Sequence, residues 1–114
     1  MINVYGIKNC DTMKKAFNWL DQNDIQYNFH DFKKIELPKE LIATWCASLP
    51  LDQLINKRGT TWRKLDEDTK NNLTAESAVS IIQQNPSVVK RPLIEVNGEH
   101  YIGFKPEQYQ GIFS

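Results

Sequence analysis

The stretch "VYGIKNCDTMKKAF", residues 4–17, decides the fold because it joins a strand signal to a helix signal through a lone cysteine. The short run "INVYG" is rich in β-branched and aromatic residues and stops at Gly6, the pattern of a strand. From Thr12 to about Gln22, Met13, Ala16, Phe17 and Leu20 recur at helical spacing with lysines and polar residues between them. Asn9, Asp11 or Thr12 can supply the N-cap oxygen, which puts Cys10 at or beside the helix N-terminus. Beyond it, "IQYNFHDF" places Ile25, Tyr27 and Phe29 on alternate positions, a second strand. Two strands joined by one helix make a βαβ unit with parallel strands and a right-handed crossover.

Working outward, the middle of the chain changes character. Pro38 suits the first turn of a helix, and Leu41, Ile42, Trp45, Cys46 and Leu49 mark one helical face. "LDQLINK" and "TTWRKLDEDTKNNL" read as shorter helical pieces broken around Pro50 and Gly59. A further helix is predicted from Ala75 to Gln84, opened by Thr74 and stopped at Asn85-Pro86. Strands return in "RPLIEVNGEHYIGF", where Asn97-Gly98 is a two-residue hairpin signal because both turn positions tolerate φ > 0. Pro106 then begins a short C-terminal helix, with Tyr109, Ile112 and Phe113 available to dock it. The order β-α-β, helical insert, β-β-α is that of an α/β, thioredoxin-like (glutaredoxin-like) sheet with a helical insertion between the second and third strands. We expect a single domain over residues 1–114, its thioredoxin-like part about 1–35 and 88–114 and its insertion about 37–86.

A chain of 114 residues can bury a real core, and 14 basic against 14 acidic residues leave no electrostatic footprint for nucleic acid or an anionic membrane. No segment approaches the roughly 20 apolar residues that span a bilayer, and "MINVYGIKNC" lacks the marks of a secretory signal. A cytoplasmic location follows as an expectation, and in that reducing setting Cys10 and Cys46 are not expected to form a structural disulfide. His30 and His100 stand apart from any ligand cluster, so no metal is expected; both histidines, with Trp19 and Trp45, are read as packing or surface hydrogen-bonding residues. Monomer is the default oligomeric state.

The chemistry centres on Cys10. A thiol is an effective nucleophile only as its thiolate. A helix N-terminus offers unpaired N–H groups and about half a positive charge, both favouring the anion. Lys8 and Lys14 add to that field, and Asp11 opposes it if its carboxylate points the same way. The competing reading is a small buried hydrophobe, since free cysteine is among the most buried residue types. The strand–helix junction favours reactivity. Cys46 reads the opposite way, because it sits in the apolar stripe with Ile42, Trp45 and Leu49.

Taken together, "YGIKNCDTMKKA", "RGTTWRKLDE" and "KRPL" resemble the arsenate reductase (ArsC)/Spx superfamily, most closely its YffB-like branch, over nearly the whole chain. The resemblance implies the same thioredoxin-like fold with a helical insertion, and a cis Pro92 facing the active-site loop, with Thr12 also supporting that loop. In the arsenate reductases one cysteine attacks the oxyanion and three arginines hold the anion and the thiolate. Carried over by motif, Cys10 matches the nucleophile, Arg58 in "NKRG" the first arginine and Arg91 in "KRPL" the second. At the third position, "GFKPE", this chain has Lys105, which keeps the charge but loses the planar fork that grips an oxyanion. Gly6 stands where the reductases have a histidine, and the Gly-Thr-Ser-Arg run after their cysteine is here Asp11-Thr12-Met13-Lys14.

Spx members bind RNA polymerase and sense oxidation through a Cys-x-x-Cys pair; Met13 occupies the second position here, so that local disulfide cannot form. The expectation is therefore a monothiol oxidoreductase. Cys10 is its nucleophile, with Arg91, Arg58 and Lys105 binding the thiolate or anionic substrate groups. Glutathione, or a small anionic thiol like it, is the co-substrate, and no cofactor is tightly bound. The alternatives are an Spx-like, non-enzymatic protein that binds the RNA polymerase α subunit, and, ranked third, an arsenate reductase. Each cation also has a plainer reading as a solvated surface charge, whose pairs are worth about 0–1 kcal/mol.

Overall fold

The computed structural model describes residues 2–113. Its elements run β1 (Ile2–Gly6), α1 (Asp11–Gln22), β2 (Asn28–Asp31), α2 (Lys39–Ser48), α3 (Leu51–Leu54), α4 (Thr60–Arg63), α5 (Glu67–Asn71), α6 (Ala75–Gln84), β3 (Leu93–Val96), β4 (Glu99–Ile102) and α7 (Pro106–Phe113), with a 3-10 turn over Pro86–Val88. The chain forms two compact units. One joins the residues up to Lys34 with those from Arg91 onward, and the other spans Ile35–Lys90.

The first unit holds one sheet in the order β2-β1-β3-β4. β1 and β2 are parallel, as a βαβ unit requires, while β3 runs antiparallel to both β1 and β4. This is the thioredoxin-like arrangement, with every element from α2 to α6 inserted between β2 and β3. Asn97 (φ 51°) and Gly98 (φ 84°) both adopt the left-handed conformation that closes the β3–β4 hairpin. Val4, Met13, Ala16, Leu20, Ile94 and Tyr109 form the core, so β1, α1, β3 and α7 each contribute to it. α7 docks through Tyr109, which is fully buried, donates its hydroxyl to the Gly103 carbonyl at 3.2 Å, and meets Trp19 and Phe104 edge to face. Ile112 and Phe113 pack at the margin of the same core.

A polar row crosses the sheet from strand to strand. His30 on β2 meets Asn3 on β1 at 3.0 Å, Asn3 donates to Glu95 on β3 at 3.0 Å, and Glu95 pairs with His100 on β4 at 3.2 Å. Asn3, Glu95 and His100 are direct register partners, which is why the row runs straight. The hydrogen-bonding role expected of the two histidines is thus concrete: they end one cross-sheet network.

β2 starts three residues later than the alternation of Ile25, Tyr27 and Phe29 suggests. The end of α1 takes the difference. Asp24 enters the left-handed region (φ 56°), the Ile25 N–H returns to the Leu20 carbonyl at 3.0 Å, and the Asp24 N–H returns to Asp21 at 3.2 Å. This is a Schellman closure, with Ile25 and Leu20 as its apolar pair. Tyr27 is consequently a linker residue whose ring stacks on Phe17 at 5.4 Å.

In the second unit α2 packs on α6, and Ile42, Trp45, Ala78 and Ile82 are fully buried. Pro38 is the N-cap of α2 rather than a residue of its first turn, because its ψ of 140° lies outside the helical region. Pro50 and Gly59 cap α3 and α4 in the same way, so each residue read as a breaker instead begins a helix. Thr74 and Ser77 form a reciprocal capping box at the start of α6. Among the described residues, no helix is long and apolar enough to cross a membrane.

Candidate active site

The site begins where β1 ends. Gly6 closes the parallel pairing by accepting the Phe32 N–H at 2.8 Å, and five residues later α1 begins at Asp11. The N-cap is Cys10 itself, with extended dihedrals (φ −124°, ψ 132°), and its carbonyl accepts the Lys14 N–H at 2.9 Å. This corrects the expectation that Asn9, Asp11 or Thr12 caps the helix. The reason is local: Asp11 is already helical, and Cys10 is the last residue with a β-region backbone.

The Cys10 side chain closes no capping hydrogen bond, and a thiol sulfur is a weak acceptor. The thiolate is another matter. Partial burial opposes its formation, but the Met13 N–H, a hydrogen bond from the Arg91 side chain, the Thr12 N–H and the Arg91 charge together outweigh burial and lower the thiol pKa. Met13 and Thr12 are the N3 and N2 residues of α1, the positions whose N–H groups an N-cap side chain ordinarily satisfies. Arg91 stands two residues before β3, which lies beside β1 in the sheet, and the Arg91–Pro92 peptide is cis. Pro92 is buried, and its carbonyl accepts the Gly103 N–H at 2.9 Å.

Of the predicted site residues, the structure therefore brings together Cys10, Thr12 and Arg91, with Pro92 adjoining Arg91. Lys105 is an exposed residue between β4 and α7 whose carbonyl accepts the Tyr109 N–H at 3.0 Å. Arg58 belongs to the other unit, where it is exposed and its backbone N–H donates to Asn56 Oδ1 at 3.2 Å. Among the described residues, the side chain that acts on the Cys10 sulfur is Arg91; Lys8, Lys14 and Asp11 lie exposed on the surface. The sequence pointed to the N–H groups of the helix N-terminus but did not assign one to Met13. Its signal was the N3 position itself, which becomes legible once Cys10 is recognised as the cap.

A lowered thiol pKa beside a cation sets Cys10 apart from the second thiol. Cys46 is half-buried in α2, and burial alone raises its pKa. No group of three or more histidine, cysteine or carboxylate side chains among the described residues is arranged to hold a metal ion.

The sequence matches the ArsC family over residues 5–112, a span that includes the junction, the inserted unit and the cis proline. This chain belongs to the ArsC family. Within it, the similar proteins include a YffB protein and Spx regulators. The solved structure of a YffB protein superposes with a TM-score of 0.95 at 41% identity, covering 100% of both chains. An uncharacterised protein of Haemophilus influenzae is 44% identical over 100% of both chains. The global transcriptional regulator Spx of Staphylococcus aureus is 28% identical over 95% of this ArsC-family chain and 83% of its own length.

Proposed function

We propose that this ArsC-family chain is a thiol–disulfide oxidoreductase that works through the single nucleophile Cys10 and is regenerated by glutathione. The observation that carries the reading is the place of Cys10 at the N-cap of α1, where the N–H groups of Met13 and Thr12 and the Arg91 side chain favour its thiolate. The Cys10 thiolate attacks one sulfur of a substrate disulfide, forming a mixed disulfide and releasing the other sulfur as a thiolate, which takes a proton from water. Met13 stands where a second cysteine would resolve that mixed disulfide, so an outside thiolate must do so. Glutathione thiolate attacks the substrate sulfur and frees Cys10; a second glutathione then reduces the glutathionylated substrate, leaving oxidised glutathione. Glutathione carries two carboxylates, and Lys105 is the further cation of the same unit that we assign to anionic substrate groups. The reducing cytosol is the setting this exchange requires.

The test is incubation with oxidised glutathione followed by peptide mapping. An adduct on Cys10 that reduced glutathione removes supports the proposal, and a Cys10 that stays unmodified sinks it. The Spx relative favours a second reading, a non-enzymatic protein that binds the RNA polymerase α subunit. Capture of that subunit equally by wild type and Cys10→Ser, with no glutathione exchange, supports this alternative. Arsenate reduction ranks third and requires glutathione-dependent turnover of arsenate that Cys10→Ser abolishes.

A further inference from the structure

Two positions that separate this chain from the families it resembles, Gly6 and Met13, occupy one volume. A Cβ placed on Gly6 would lie 2.5 Å from Met13 Sδ and 2.7 Å from its Cε. Non-bonded carbon atoms rest at about 3.5–4.0 Å, so residue 6 can carry no side chain while Met13 keeps its place. The atoms met are the tip of a flexible side chain, so Met13 must turn that tip elsewhere, within the buried cluster it forms with Val4, Ala16, Leu20, Ile94 and Tyr109. Interiors of this kind are close-packed and offer no spare volume. The end of β1 and the first turn of α1 therefore pack against each other through the Met13 side chain, across the loop that leads to Cys10.

The same Met13 supplies the backbone N–H foremost among the groups that favour the Cys10 thiolate. We propose that Met13 is a positioning residue for Cys10: its side chain, seated in the notch left open by Gly6, holds the first turn of α1 so that its N–H groups stay available to the thiolate. The residue standing in place of a resolving thiol thus has its own task, and glycine at position 6 is its steric complement. The proposal rests on the reading of Cys10 as the nucleophile.

The test is the pH dependence of Cys10 alkylation by iodoacetamide in the full chain, with folding checked by circular dichroism and thermal melting. Gly6→Ala strikes Met13 Sδ directly, and Met13→Leu keeps an apolar side chain of similar volume but replaces the slender tip that enters the notch. Both are expected to move the alkylation midpoint toward that of an ordinary thiol, each pH unit of movement reducing the rate at fixed lower pH about tenfold. Met13→Ala moves it further, and Gly6→Ala combined with Met13→Ala recovers part of the loss because the added methyl then has room. If Met13→Ala does not fold, Met13→Leu carries the comparison. A lowered wild-type midpoint that folded Gly6→Ala and Met13→Leu both leave in place overturns the positioning role alone. A wild-type midpoint at the ordinary thiol value overturns the nucleophile reading, and the positioning role with it.

Discussion

Cys10 and Cys46 are the same side chain at comparable partial burial, one at the head of α1 and the other deep in α2, and their thiols are pushed in opposite directions. Burial opposes ionisation at both. At Cys10 the N–H groups of the first helical turn are still available and Arg91 adds a cation, so burial is outweighed. Cys46 is the eighth residue of a ten-residue helix, where carbonyls one turn back have already claimed the N–H groups. The comparison teaches that the position of a thiol along its helix, and not its exposure, decides its character.

The largest expected effect is the contrast itself. With limiting iodoacetamide at neutral pH, native Cys10 is expected to react at least about tenfold faster than Cys46, and denaturation should erase the difference. Peptide mapping of the two thiols checks this. Next, Arg91→Ala should slow Cys10 alkylation several-fold and leave Cys46 unaltered. Arg91→Lys should recover part of the rate, because it restores the charge without the guanidinium fork. Competitive labelling of both cysteines in one digest reads that result.

A smaller effect appears in stability against pH, with opposite signs at the two cysteines. The folded pKa of Cys10 is depressed, so its thiolate contributes stability that is complete above the ordinary value of 9.0 and is lost as pH falls through the depressed one. The folded pKa of Cys46 is raised, so its contribution is complete below 9.0 and is lost as pH rises through the raised value. Melting temperatures measured from neutral to alkaline pH should therefore show Cys10→Ser falling progressively behind wild type, while Cys46→Ser gains on it. The smallest effect concerns Lys105, which is exposed and stands apart from the groups acting on Cys10. Lys105→Ala should leave the alkylation profile within about twofold of wild type, since exposed charges interact weakly through water.

Much of the fold was legible because its signals are local. Asn97-Gly98 marked the β3–β4 hairpin, Thr74 the start of α6, and the spacing of Met13, Ala16 and Leu20 the buried face of α1. What escaped depends on partners distant in sequence or on fine backbone detail. The row from His30 through Asn3 and Glu95 to His100 needs the register of three strand pairs, which no single segment encodes. The Cys10 cap was hidden because cysteine is not a usual N-cap residue, and the late start of β2 follows from a Schellman closure at a non-glycine residue, Asp24. The site divides in the same way. Cys10 could be read from its strand–helix junction and Arg91 from the "KRPL" motif. The clash that binds Gly6 to Met13 emerges only when the end of β1 and the first turn of α1 are seen side by side.

The most direct measurement is the pH midpoint of Cys10 alkylation in the native wild-type chain, with Cys46 followed in the same digest. A reactive site predicts a Cys10 midpoint clearly below the ordinary thiol value and a Cys46 midpoint above it. A Cys10 midpoint equal to that of the unfolded chain would contradict the assignment of Cys10 as a thiolate nucleophile.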